Sequence, residues 1–102
     1  MFLISNAVNA ADKWEYVKFR DGGVKGLQLT YPDGKTDSWE GDGTKPPKNF
    51  SLLFGPLPPA LANRDFTKDA NVINALGFFG FEMCGFQVER SSRYWFKRKI
   101  SK

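Results

Sequence analysis

The stretch "INALGFFGFEMCGF", residues 73–86, contains the end of a helix and the start of a strand, and it decides the fold of the second half of the chain. Apolar residues at helical spacing form one stripe through and just before it: Val72, Ile73, Leu76 and Phe79. Gly80 suits the left-handed position that ends a helix, and Phe81 after it is placed to contact Leu76. We therefore predict one convincing helix over residues 67–79, with Thr67 as its N-cap, followed directly by a strand.

The strand that follows changes its alternation at Gly85. In "FEMCGFQVE", residues 81–89, Phe81 and Met83 share one side, whereas Phe86 and Val88 fall on the other. A glycine inside a strand often marks a β-bulge, and one extra residue there would return Phe86 and Val88 to the first side. The pattern predicts a bulged strand, a turn at "RSSR" and a final strand, "YWFKRKI", that pairs back on it.

The first half of the chain has the pattern of a three-stranded meander. Three aromatic or β-branched segments, "WEYVKFR" (14–20), "VKGLQLTY" (24–31) and "KTDSWE" (35–40), are separated by the turn signals "DGG" and "PDGK". Residues 44–66 hold five of the six prolines, so we expect this segment to be mostly irregular, with one helical turn at "PALAN".

Together these elements predict an α+β fold. We expect an antiparallel sheet of four to five strands, built from the meander, the helix and the hairpin, with one main helix packed on one face. At 102 residues the chain is expected to hold an N-terminal arm (1–13) and a single domain (14–102) with a Pro-rich loop at 44–66.

The second half also resembles a family of small bacterial domains of unknown function. Their recurring pattern is Leu-Asn-x-Leu-Gly-x-x-Gly-Trp-Glu-Leu-Val, followed by a strand that ends in Lys-Arg, and they open with an aromatic strand similar to "WEYVKF". The matching positions are Ile73, Asn74, Leu76, Gly77, Gly80, Glu82, Lys97 and Arg98. Phe81 stands where Trp is usual, and the Pro-rich loop has no counterpart in the pattern. The resemblance implies a fold and no activity.

Few residues have the chemistry of a catalytic or metal site. Histidine is absent, and Cys84 is the only cysteine, so neither a Cys–His nor a Ser–His pair can form. The acids Asp33, Asp37, Glu40 and Asp42 lack the spacing of an EF-hand loop and suit ordinary turns. We therefore expect no catalytic residues, no cofactor and no bound metal, and a protein that is not an enzyme.

An apolar group in the Pro-rich loop forms the first candidate surface. Its members are Phe50, Leu52, Leu53, Phe54 and Leu57. Two interpretations stay open: the group covers part of the core, or it binds an unknown protein partner or a second copy of the chain. A protein-interaction or self-association module is the function that the sequence favours.

A basic C-terminal segment forms the second candidate surface. The net charge is +4, and residues 90–102 carry six basic groups and no acid. Arg93, Lys97, Arg98 and Lys99 are candidate contacts for an anion, and the aromatic residues among them suit nucleic acid or an anionic surface. The alternative is a strand with a solvated basic face.

The start of the chain gives a weak indication of location. Val8 and Ala10 resemble a signal-peptidase site, but "FLI" is shorter than the apolar region that such a signal needs. We expect a plain arm and a cytoplasmic protein. The alternative is a secreted or periplasmic protein whose start lies within a signal peptide.

Overall fold

The computed structural model describes residues 13–23, 26–39 and 46–100. Five strands are present in them: β1 (Trp14–Asp21), β2 (Leu27–Thr30), β3 (Thr36–Trp39), β4 (Glu82–Val88) and β5 (Ser92–Lys99). They form one antiparallel sheet in the order β3-β2-β1-β5-β4. The predicted α+β class, with a meander, a helix and a terminal hairpin, is confirmed.

The predicted Pro-rich loop is more ordered than expected. It contains two short helices, α1 (Lys48–Phe54) and α2 (Pro59–Ala62), the second of which is the predicted helical turn. The prolines break neither helix, because Pro47 immediately precedes α1 and Pro59 opens α2, where a backbone N–H has no intrahelical partner. The prediction of a mostly irregular segment was therefore wrong. Residues 40–45 and most of the predicted N-terminal arm lie outside the described residues.

The main helix, α3 (Asp69–Phe78), ends as the sequence predicts. Gly80 has a φ of 90°, its N–H donates to Gly77 O at 2.9 Å, and the Phe81 N–H donates to Leu76 O at 3.1 Å. These two bonds define a Schellman motif. The start of α3 differs from the prediction, because Thr67 lies before the helix. Its N–H and its hydroxyl both donate to Asp65 Oδ1.

The predicted β-bulge is present in β4. Met83 lies opposite Phe96 and Gly85 lies opposite Trp95, so Cys84 is the extra residue. Because of it, Met83, Phe86 and Val88 all fall on the face that carries Phe96. A side chain at Gly85 would meet the Trp95 ring, since a Cβ built there lies 3.2 Å from Trp95 Cε3.

The helices α1 and α3 pack on one side of the sheet, which we call the inner face, and α2 contacts α3. The buried strand side chains of the inner face are Val17, Phe19, Leu27, Leu29, Tyr94 and Phe96. Rings from the helical segments cover them: Phe50 is fully buried, and its ring centroid lies 5.1–5.9 Å from those of Phe54, Phe66 and Phe79. The opposite side, the outer face, carries no helix in the described part of the chain.

The helices of the described residues are too short and too polar for a membrane span. The longest, α3, has 10 residues, about half the length that a bilayer core requires.

Two alanine substitutions in α3 and its cap should have opposite effects. Gly80→Ala forces a side chain into the left-handed region and should lower the free energy of unfolding by about 1–2 kcal/mol. Gly77→Ala is the matched control, because it lies inside the helix with open space around it and should raise stability by about 0.5–1 kcal/mol. Urea unfolding of both variants measures the difference. Equal effects of the two substitutions would contradict the cap.

Candidate nucleic-acid interface

The outer face of the sheet presents a regular array of cations and aromatic rings. β1 and β5 are neighbours, and four cross-strand pairs of their residues point outward. We call these pairs the outer-face ladder: Arg20 with Arg93, Lys18 with Trp95, Tyr16 with Lys97, and Trp14 with Lys99. Five of the eight side chains are cations, three are aromatic, and none is acidic.

The flanking strands add little charge to this face. Gln28, Thr30, Thr36 and Ser38 are the outward residues of β2 and β3. On β4, Glu82 lies opposite Lys97 and is the only acid that the described strands place on the outer face. The ladder is therefore a strongly positive strip in a nearly neutral surround.

Two arginines at one end of the ladder lie directly opposite each other. Like charges in this position destabilise a sheet unless something compensates for them. Both Arg20 Nε and Arg93 Nε are buried and lack a hydrogen-bond partner. A buried donor left without an acceptor costs stability. The two like charges also repel each other, and an anion bound to the Nη groups of both side chains would offset this repulsion.

The rings of the ladder are partly covered by lysines. Lys97 Nζ lies 4.3 Å from the centre of the Trp14 ring, and Lys99 Nζ lies 5.8 Å from it. Lys18 Nζ lies 5.7 Å from the centre of the Trp95 ring. These distances are typical of cation–π contacts. An approaching planar group can displace the lysine from the ring face. Tyr16 is 55% exposed and already open to a ligand.

The sequence-predicted anion contacts divide between the two faces. Arg93, Lys97 and Lys99 belong to the ladder, but Arg98 lies on the inner face with Tyr94 and Phe96. Arg98 is two residues from Phe96 and four from Tyr94, so strand alternation places all three on one face.

Arg98 is bound inside the protein. Its Nε donates to Glu15 Oε2 at 2.7 Å, and its Nη1 donates to Phe79 O at 2.6 Å. Its guanidinium carbon lies 4.4 Å from the centre of the Phe81 ring. Arg98 therefore joins β1, β5 and the end of α3, and it is not part of the outer-face ladder.

Sequence reasoning missed the contribution of β1 to this surface. Trp14, Tyr16, Lys18 and Arg20 alternate with buried residues, so their shared face was detectable in the strand pattern. Their position beside the basic strand was not, because local sequence does not specify that β1 pairs with β5.

The predicted apolar partner surface is mostly used within the core. Phe50 is fully buried, and Phe54 and Leu57 are partly buried against the core. Leu52 is 74% exposed and Leu53 is 38% exposed, so only these two remain accessible. The larger exposed apolar row lies on β4, where Met83, Phe86 and Val88 are 43%, 59% and 57% exposed.

The acids considered for a cation site have structural partners. Asp37 Oδ2 accepts bonds from the Tyr31 hydroxyl at 2.8 Å and the Asn49 N–H at 2.9 Å, and Asp33 Oδ1 accepts from the Lys35 N–H at 2.9 Å. Glu40 and Asp42 lie outside the described residues. Within residues 13–23, 26–39 and 46–100, no group of three or more Cys, Asp or Glu side chains is arranged to hold a metal ion.

One titratable cluster joins α3 to the sheet on the inner face. The Tyr94 hydroxyl donates to Asp69 Oδ2 at 2.6 Å, while Asp69 Oδ1 is buried without a donor. Burial and the neighbouring Asp21 carboxyl raise the pKa of Asp69 to about 6. Two carboxylates can share a hydrogen bond only when one is protonated, so a proton on Asp69 satisfies its free oxygen. The cluster is a structural contact on the opposite face of the sheet from the outer-face ladder.

Comparison of the chain with protein-family models, with curated proteins and with solved structures found no match. The resemblance to a bacterial family stays a prediction, and a function must be inferred from the surfaces of the molecule itself.

The Asp69 cluster should make stability depend on pH. Folding raises the pKa of Asp69 from 3.8 to about 6. The stabilisation that protonated Asp69 gives the folded protein is therefore complete below the unfolded-state pKa and is lost as pH rises through the folded-state pKa. Asp69→Asn should remove this loss. The free energy of unfolding of the wild type should therefore fall relative to that of the variant between about pH 4 and about pH 7, as measured by urea unfolding.

Tyr94→Phe supplies the second arm of this experiment. The hydroxyl of Tyr94 holds the pKa of Asp69 down, so its removal should move the loss of stability to higher pH. Parallel pH profiles for the wild type and Asp69→Asn would contradict the proposed role of the cluster.

Proposed function

We propose that the protein binds nucleic acid through the outer-face ladder. The observation that carries the proposal is the Arg20 and Arg93 pair, whose buried Nε atoms lack acceptors at the end of a strip that contains three more cations. Phosphate oxygens suit guanidinium donors, and lysines along the strip provide the charge that attracts a polyanion.

The aromatic rings favour nucleic acid over an anionic lipid surface. Trp14, Tyr16 and Trp95 lie on the outer face of the sheet among lysines. A helix that lies on a membrane buries an apolar face at the acyl boundary. The side chains around the ladder on the outer face are polar instead, among them Gln28 and Thr30.

Removal of two ladder lysines should weaken binding and its dependence on salt. Lys18→Gln/Lys97→Gln keeps most of each aliphatic stem but removes two charges from the ladder. Each lost phosphate contact lowers the slope of log affinity against log salt by about 0.7–0.9, so we expect a decrease of roughly 1.4–1.8. Fluorescence anisotropy with a short labelled oligonucleotide, repeated over a salt series, measures this slope.

The matched control makes the same change in net charge on the helical side. Lys48 and Lys68 are exposed lysines in the α1 and α3 regions, and Lys48→Gln/Lys68→Gln should leave the slope nearly unchanged. Equal losses in the two double variants would contradict a defined interface on the outer face. Tighter binding to phosphatidylserine vesicles than to the oligonucleotide would instead favour a membrane surface.

A second candidate function, self-association, is favoured by β4. It is the last strand of the sheet, so one side of its backbone has no partner among the described strands. A second copy of β4 could pair antiparallel with it across a two-fold axis and bring the two rows of Met83, Phe86 and Val88 together.

Repulsion between the basic β5 strands does not prevent this dimer, but features of β4 weaken the pairing. The β5 strands of two copies would lie three strand spacings apart, about 14 Å, which exceeds the screening length of about 10 Å in 0.1 M salt. Glu82 and the bulge at Cys84 are features that weaken edge pairing. We therefore expect a weak dimer whose population rises with concentration.

Substitution of the apolar row tests this candidate. Phe86→Lys should abolish any increase of weight-average mass with concentration in sedimentation equilibrium. Leu52→Lys is the control, because Leu52 is 74% exposed but lies on α1. If only Leu52→Lys abolished association, the partner surface would be the Leu52 and Leu53 pair, and a monomer at all concentrations would exclude self-association.

A further inference from the structure

We infer that the nucleic acid bound by the outer-face ladder is single-stranded, with its bases stacked on Tyr16, Trp14 and Trp95. This inference rests on the proposed nucleic-acid function and specifies the form of the ligand. Its starting point is the arrangement of the three rings on two adjacent strands.

The spacing of the rings suits separated bases. Trp14 and Tyr16 are two residues apart on β1, which is about 6.8 Å along a strand. Trp95 is diagonal to Tyr16, because the residue opposite Tyr16 is Lys97, and diagonal neighbours are about 7–8 Å apart. Bases within a duplex strand rise by about 3.4 Å, so these rings match an extended strand better than a helical stack.

A duplex also lacks the surfaces that these rings recognise. Its base faces are stacked on each other, and only edges and phosphates are accessible from outside. Single strands expose whole base faces, which stack on aromatic side chains regardless of sequence. A ladder with rings between lysines therefore suits unpaired bases.

The lysines of the ladder have a contact in the free protein and another in the bound protein. Lys97 lies over Trp14 and Lys18 lies over Trp95, so each covers a ring face in the free protein. A base that takes this place frees the ammonium group to contact a neighbouring phosphate. Tyr16, which is 55% exposed, needs no such exchange and would accept the first base.

The two ends of the ladder then have different roles. The Arg20 and Arg93 pair carries no ring and offers two guanidinium groups to the backbone of the strand. The other three pairs each combine one ring with one lysine. A bound strand would thus place phosphates on the arginines at one end and bases on the rings along the remainder.

The test compares three probes on the full chain: labelled oligo(dT), a blunt duplex of the same length, and heparin. We expect oligo(dT) to bind most tightly and to quench tryptophan emission. Trp14 and Trp95 are on the outer face, whereas the Trp39 indole Nε1 donates to Phe66 O at 2.9 Å on the inner face. The variant Trp39→Phe should therefore retain the quenching.

Tyr16→Leu should weaken oligo(dT) binding about 5- to 150-fold, the cost of one lost stacking contact, and leave heparin retention unchanged. Tyr16→Phe keeps the ring and should restore binding. Phe78→Leu is the matched control, because Phe78 is 54% exposed but lies on α3. Unfolding in urea verifies that each variant is folded.

The outcomes separate this inference from the proposed function. Equal affinity for oligo(dT) and the duplex, with no quenching, would overturn single-strand stacking while nucleic-acid binding stood. An undiminished affinity in Tyr16→Leu would also overturn it. Absence of binding to both oligonucleotides would overturn the inference and the proposed function together.

Discussion

The structure depends on the pairing of β1 with β5, two strands from opposite ends of the chain. Trp14 lies opposite Lys99 and Asp21 opposite Ser92, so the two strands match along their whole length. This register places Val17 and Phe19 beside Phe96 and Tyr94 on the inner face. It also aligns the cations and rings of the outer-face ladder. The core and the candidate interface therefore both depend on the register of β1 and β5.

The inner face and α3 are joined by polar contacts as well as by apolar packing. Near the start of α3, Tyr94 donates to Asp69, and at its end Arg98 donates to the carbonyl of Phe79. Both donors come from β5, where they are four residues apart. The same strand thus positions the helix with its inward side chains, while its outward side chains belong to the outer-face ladder.

The sequence predicted the local features and missed those that depend on distant pairing. The Schellman motif at Gly80 and the bulge beside Gly85 follow from residues within a few positions, and both are present. The sequence does not predict α1, because proline disfavours a helix interior, whereas Pro47 lies just before the first turn and leaves the helix intact. The sequence indicates only the β5 half of the ladder, because the pairing that places Lys18 and Arg20 beside β5 is not encoded in local sequence.

The bulge in β4 has a consequence for tolerance to changes in chain length. Because Cys84 is the extra residue, a chain without it would still place Met83 opposite Phe96 and Gly85 opposite Trp95. The hairpin would close with the same side chains on the same faces. A deletion at this position is therefore absorbed locally. The loss of one residue within β1 would instead reverse the faces of the β1 residues beyond it and exchange their basic side chains with core side chains.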